Sequence, residues 1–213
     1  FAYVGIGFAR VWRTTRAMGK LKHLTLFLAA FLMYNNGIQT IIAQVALYAK
    51  GHIEGVDTPH ILATLLAIQF VASVGAIAFG RIAARIGAKR AVMLALVGWI
   101  AVVSYVLMLD TATEFFVVGC AAGLVLGGAQ ALSRSLYSVM IPEGVSAGFF
   151  GFFSVFNKAS AIFGPLAYGL IRWFVPDARW AIFSVIVFFA VGLALLAAVD
   201  VDKARADAAA FEA

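Results

Sequence analysis

Apolar residues run in blocks of about twenty along most of the chain, and short polar breaks separate them. Six such blocks lie near residues 24–49, 60–80, 91–109, 115–138, 149–173 and 179–199. A hydrocarbon core about 30 Å thick takes roughly 20 apolar residues as a helix, so each block predicts a membrane-spanning α-helix. The breaks between them carry turn and charge signals: GHIEGVDTP, RIAARIGAKR, DTATE, VMIPEGVSAG and VPDAR. They divide the chain into a leading segment, residues 1–23, a six-helix bundle, residues 24–199, and a tail, residues 200–213.

The pattern within two blocks departs from plain hydrophobicity. The first contains FLMYNNGIQTIIAQ, residues 31–44. At about 100° per residue, Asn35, Asn36, Gln39, Thr40 and Gln44 fall on roughly half of the helix circumference. An unsatisfied amide in lipid costs several kcal/mol, so this face must meet other helices or a water-filled cavity. Interhelical hydrogen bonding accounts for one or two such residues. Five at mid-depth point to a cavity. In the fifth block, Ser154, Asn157, Lys158, Ala161, Gly164 and Pro165 share a face. Lys158 lies near mid-membrane, where a lysine costs at least about 2.5–3.5 kcal/mol on insertion scales. No carboxylate lies at mid-span depth, so Lys158 pairs with an acid outside this chain, meets an anionic ligand, or loses its charge. The fourth block aligns Gly123, Gly127, Gln130, Arg134 and Tyr137. Its glycines permit close helix approach, and Arg134 suits a lipid headgroup, a loop contact or a ligand equally. Gln69 and Ser73 add a weaker polar strip to the second block.

Composition agrees with the blocks. Of 213 residues, 64% are hydrophobic and 12% charged, against about 45–50% and about 25% in soluble domains. The net charge of +6 is explained by location rather than by a nucleic-acid partner, since no basic patch has interleaved aromatics. Arg10, Arg13, Arg16, Lys20, Lys22, Arg81, Arg85, Lys89, Arg90, Arg134, Lys203 and Arg205 fall on one side, against Lys50, Arg172 and Arg179 on the other. The positive-inside rule therefore sets both termini in the cytoplasm, and a bacterial inner membrane is the expected location. The leading segment is too short and basic to span. It suits a helix lying on the membrane surface, a linker from an upstream domain, or both. The chain opens without Met and is expected to be a piece of a longer protein.

Candidate chemistry is sparse. His23, His52 and His60 lie at block ends, and no His, Cys and carboxylate cluster has metal-ligand spacing. Isolated serines lack a nearby base. The glycine-rich stretches lie within spans, not after a strand as in a phosphate loop. Cys120 stands alone, which leaves no disulfide framework. No enzymatic activity, metal or cofactor is expected.

The loop GRIAARIGAKR, residues 80–90, resembles the major facilitator superfamily signature G-x-x-x-D-R-x-G-x-[KR]-[KR]. Gly80, Arg85, Gly87, Lys89 and Arg90 match, and Ala84 replaces the acid. The glycines allow a tight turn and close helix contact, while the cations anchor the loop inside. YNNGIQTI, GAKRA, TATEFFV, GGAQALSRSLYS, IPEG, FFGF and FGPLAYG together resemble the C-terminal half of the vacuole effluxer-like family. Gly164 and Pro165 resemble the superfamily's fifth-helix Gly-Pro pair, and Asn36 stands where family members read an acid. The resemblance implies an all-α membrane protein whose six helices are the C-terminal half of a twelve-helix fold, an inverted 3+3 repeat. It implies a secondary transporter of small organic solutes, with amino acids favoured, working by alternating access against an N-terminal six-helix half. Asn35, Asn36, Gln39, Thr40, Gln130, Asn157 and Lys158 are the substrate-pathway candidates. Gly80, Arg85, Gly87, Lys89 and Arg90 are the gating-loop candidates, and Gly123, Gly127, Gly164 and Pro165 the packing candidates. A transporter-derived assembly subunit within a larger membrane complex is the alternative, favoured by Ala84, Asn36 and the lack of buried acids.

The orientation is testable by cysteine labelling in the full-length protein lacking Cys120. Glu54→Cys is expected to react with an impermeant thiol reagent on intact cells, and Arg90→Cys only after permeabilisation. The reverse pattern would invert the topology.

Overall fold

The computed structural model describes Gly19, residues 21–142 and residues 146–211. The predicted surface or linker segment therefore lies largely outside the described residues. Those residues are almost wholly helical, with no strand among them and one isolated bridge joining Glu54 to Thr111.

Local chemistry accounts for where the helices begin and end. Helix α1, Lys22–His52, closes with Lys50 and His52 in its last turn, which suits the negative end of the helix dipole. Helix α2, Thr58–Ile86, is capped by Asp57, whose side chain accepts the His60 N–H, with Pro59 in the first turn. Gly87 ends it at φ +87°, a conformation open to glycine, and helix α3, Ala88–Tyr105, starts at once. A 3₁₀ turn, Val106–Met108, prolongs α3. A capping box between Thr111 and Glu114 opens helix α4, Ala112–Ser138. Helix α5, Ser146–Phe174, carries Pro165 in its interior. The last span is broken into α6, Ala178–Phe183, and α7, Ile186–Ala198.

Among the described residues, five stretches are long and apolar enough to cross a membrane: Lys22–His52, Thr58–Ile86, Ala88–Met108, Ala112–Ser138 and Ala178–Ala198. They are five of the six blocks expected to span. The block predicted over 149–173 folds as α5 and at 29 residues has the length. Ser154, Asn157, Lys158 and Ser160 interrupt its apolar run. The tail is also more ordered than its polar sequence suggests. Helix α8, Val201–Ala209, buries Ala204 and Ala208. Backbone N–H groups of Asp202 and Lys203 donate to Asp200, and with the Lys203 ammonium they hold its carboxyl below the usual carboxylate range. That cap is therefore fully present above the ordinary carboxylate range and is lost as pH falls below it.

Helix α2 packs along α4, α1 lies against both α5 and α7, and α3 lies against α4 and α7. Glycines set these distances. A Cβ at Gly127 would come within 1.8 Å of the Ala72 carbonyl oxygen, and one at Gly75 within 2.2 Å of that of Leu124. Across the bundle, a Cβ at Gly164 would meet the Asn36 carbonyl at 2.5 Å, and one at Gly192 the Tyr34 backbone at 2.9 Å. The outer surface is apolar: Leu62, Leu66, Phe70, Val74 and Ile77 form an exposed stripe along α2 at helical spacing.

Gly127→Ala is expected to force α2 and α4 apart, at about 1–3 kcal/mol or more. The thermal unfolding midpoint should fall by roughly 2–4 °C per kcal/mol. Gly169→Ala, where an added Cβ meets nothing within 4 Å, should be neutral or slightly stabilising.

Candidate functional site

The polar face of α1 divides between two neighbours. Towards α5, Asn35 is buried and its Nδ2 donates to Asn157 Oδ1 at 2.9 Å, a bond between helices. Asn36 and Thr40 bond within α1 instead. Asn36 Nδ2 donates to the Leu32 carbonyl, and Thr40 Oγ1 to the Asn36 carbonyl, both at 2.7 Å. Gly164 sits directly against that Asn36 carbonyl and the Thr40 hydroxyl, with Pro165 following it half-buried. Asn36 Oδ1 is buried and has no hydrogen-bond partner among the described residues. A carbonyl oxygen shut away from water without a donor is destabilising by about 1–3 kcal/mol.

Towards α2 and α4 the same helix borders a cavity of about 440 Å³. Gln39 from α1, Gln69 from α2 and Gln130 from α4 line it, beside apolar residues from those helices and from α3. Gln69 and Gln130 are exposed and Gln39 half-buried, so the carboxamides mark the open side. Trp99 of α3 lines the cavity too, only 1% exposed, with its ring stacked on Phe189. Its indole N–H has no partner among the described residues.

Lys158 belongs to neither group. It is exposed on the flank of α5, alongside Ser154 and Ala161, turned away from Asn157 and Gly164. From Ser146 to Lys158 the helix rises about 18 Å, so the ammonium's backbone sits near mid-helix. Among the described residues no carboxylate lies within ion-pair distance of it. The face drawn through Ser154, Asn157, Lys158 and Gly164 thus divides, since 100° separates neighbours such as Asn157 and Lys158.

In α4, Gly123 lies against the Ile68 carbonyl and Gly127 against that of Ala72. Arg134 is exposed, whereas Tyr137 is fully buried and donates to the Phe149 carbonyl at 2.8 Å. In the basic loop, Gly80, Arg85, Gly87 and Arg90 are exposed, and the close helix contact expected at Gly80 is not found within this bundle. Lys89 reaches across the bundle: its Nζ donates to the Ala197 carbonyl at 2.8 Å and the Val199 carbonyl at 2.7 Å. It therefore closes the C-terminal end of α7, where a cation also suits the helix dipole. His23 adds to this junction by accepting the Asp200 N–H at 3.2 Å. Neither pairing is readable from a sequence, because more than a hundred residues separate the partners. The buried bond from Tyr34 to Ser133, 2.6 Å, is of the same kind.

A family profile described as "Vacuole effluxer Atg22 like" matches residues 1–209. The MFS-type transporter YxiO of Bacillus subtilis is 31% identical over 190 residues, which cover 89% of this chain and 44% of that protein. Autophagy-related protein 22-1 of Neosartorya fischeri is 30% identical over 227 residues, 99% of this chain and 37% of that protein. Autophagy-related protein 22 of Kluyveromyces lactis is 29% identical over 219 residues, 97% of this chain and 44% of that protein. The chain thus spans less than half the length of these relatives.

The Asn35–Asn157 bond is open to a double-mutant cycle. Alanine at both positions, singly and together, should give a coupling of about 0.6 kcal/mol, the average for buried polar pairs in membrane bundles. Additive single effects would mean that the bond contributes nothing to stability.

Proposed function

The chain belongs to the vacuole effluxer Atg22-like family, and from that premise we propose that it is the C-terminal half of a secondary transporter for small organic solutes. Helix pairing supports an inverted 3+3 repeat. Exchanging α1 with α4, α2 with α5, and α3 with the last span turns the α1–α5 pair into α4–α2, and the α1–α7 pair into α4–α3. These are the pairs present. The N-terminal half then lies against the exposed flanks, and the two halves rock about a site between them.

The observation that carries the proposal is Lys158. A lysine ammonium near mid-helix with no acid beside it among the described residues suits a solute carboxylate or an acid of the other half. Amino acids are the solutes this reading favours, and a carboxylate is the part that Lys158 would hold. Asn36, with a buried acceptor left open, is the second proposed pathway residue, followed by Asn35, Gln39, Thr40, Gln130 and Asn157. Because no Asp or Glu stands at mid-span depth, coupling to protons falls to the other half or is absent. The basic side faces the cytoplasm in this reading, and the bacterial relative supports a bacterial plasma membrane. The loop with Arg85, Lys89 and Arg90 would then serve the cytoplasmic gate.

The test is amino-acid uptake into proteoliposomes holding the full-length protein. Lys158→Ala and Asn36→Ala are each expected to lower the initial rate at least tenfold, about 1.4 kcal/mol, and Lys158→Arg to lower it less. Unchanged uptake of every transported solute in both alanine variants would remove the site assignment. No flux at all, with other subunits co-purifying in fixed stoichiometry, would favour the assembly-subunit reading instead.

A further inference from the structure

The end of the bundle that carries the basic loop and the tail holds a junction whose histidine the transport reading does not use. Three elements meet there: the start of α1, the start of α3, and the end of α7 with α8 behind it. Lys89 of α3 donates to the Ala197 and Val199 carbonyls. His23, half-buried as the second residue of α1, accepts the Asp200 backbone N–H through Nδ1 at 3.2 Å. Asp200 is also the residue that caps α8. One chain position therefore carries both the cap of the tail helix and a side-chain tie to α1.

Helix α8 is built to dock weakly. An isolated helix shorter than about 12–15 residues is marginal in water, and α8 has nine. Its order comes from docking, yet it buries only Ala204 and Ala208, with Phe211 partly buried beyond its end. Over so small an apolar area, one hydrogen bond weighs heavily. The His23 bond exists only while the imidazole is neutral, because a protonated Nδ1 is a donor and cannot accept an N–H. Histidine changes charge between about pH 5 and 8.

The acceptors at this junction are already engaged. The Asp200 carboxylate takes the Asp202 and Lys203 N–H groups and the Lys203 ammonium, and the Ala197 and Val199 carbonyls take Lys89. Asp202 is exposed, where solvent weakens its pull. Lys22 stands beside His23, and the α1 N-terminus adds the positive end of its dipole. Positive charge on His23 is thus opposed from α1, from Lys89 of α3 and from Lys203 of α8.

We propose that His23 is a proton-sensitive latch for the C-terminal tail. Neutral, it holds α8 against the bundle; protonated, it releases α8 and leaves Lys89 to close the end of α7. The latch is fully present on the alkaline side and is lost as pH falls through the imidazole range. The Asp200 cap is lost only in stronger acid, below the ordinary carboxylate range, so the two events occupy separate windows. The latch goes beyond the transport reading and does not depend on it.

Hydrogen–deuterium exchange of the full-length protein in nanodiscs tests this, read as protection of the α8 amides after correction for the intrinsic rate. In the wild type, protection should fall roughly three- to tenfold from about pH 8 to about pH 5. His23→Asn places an amide oxygen where Nδ1 stands and accepts at every pH, so its profile should stay flat. His23→Ala, with no acceptor, should show the lowered value throughout. The α2 and α4 amides should stay equally protected in all three proteins, which separates tail release from unfolding. A flat wild-type profile, a His23→Asn profile that falls like the wild type, or full protection in His23→Ala at about pH 8 would overturn the proposal. The readout is independent of uptake, so a failed latch leaves the transport reading standing, and failed transport leaves the latch standing.

Discussion

Backbone-to-backbone contact at glycine is what the rest of the bundle hangs on. In a bilayer the lipid tails are as apolar as leucine, so burial of side chains supplies little force between helices, and close van der Waals approach takes its place. Gly75 and Gly127 let α2 and α4 touch at the Leu124 and Ala72 carbonyls. Gly164 and Gly192 do the same for α5 and α7 against α1. With those approaches made, Asn35 can reach Asn157, Tyr34 can reach Ser133, and Tyr137 can reach the Phe149 carbonyl. A separation of one methyl group would break each of these bonds, since a hydrogen bond tolerates only a few tenths of an ångström.

Polar groups inside the bundle then sort into satisfied and unsatisfied ones, and the distinction separates structure from function. Thr40, Ser104, Ser133 and Ser160 turn their hydroxyls back to carbonyls four residues earlier and so satisfy them within their own helices. Lys89 spends two donors on the end of α7. Among the described residues what is left over is short: the Asn36 side-chain Oδ1 and the Trp99 N–H, and the Lys158 ammonium on an open flank. In a medium without water these are the groups with free energy to gain from a partner. They fall in different places, Lys158 on the outer side of α5 and Trp99 on the wall of the internal cavity.

Much was legible along the chain, for a physical reason. Helix length depends on local composition, so five stretches long enough to span appeared as apolar blocks, and α5 stood out through Asn157 and Lys158. Caps are local as well: Asp57, Thr111 with Glu114, and Asp200 act over three residues or fewer. The glycines of α4 announced close packing. They did not announce the partner, because a helix face says how near a neighbour can come and nothing about which neighbour it is.

The tertiary structure alone decided where the polar residues point. Asn35, Asn36 and Gln39 share one half of a helix, yet one bonds to α5, one bonds to its own backbone and one faces a cavity. Asn157 and Lys158 are adjacent in the chain and serve different surfaces. Trp99 drew no notice among apolar neighbours, since only the closing of four helices around it made its N–H a buried donor without a partner. Composition and periodicity thus determined the spans, their ends and their polar inventory. Which of those groups found partners depended on contacts between residues far apart in sequence, and no local pattern encodes them.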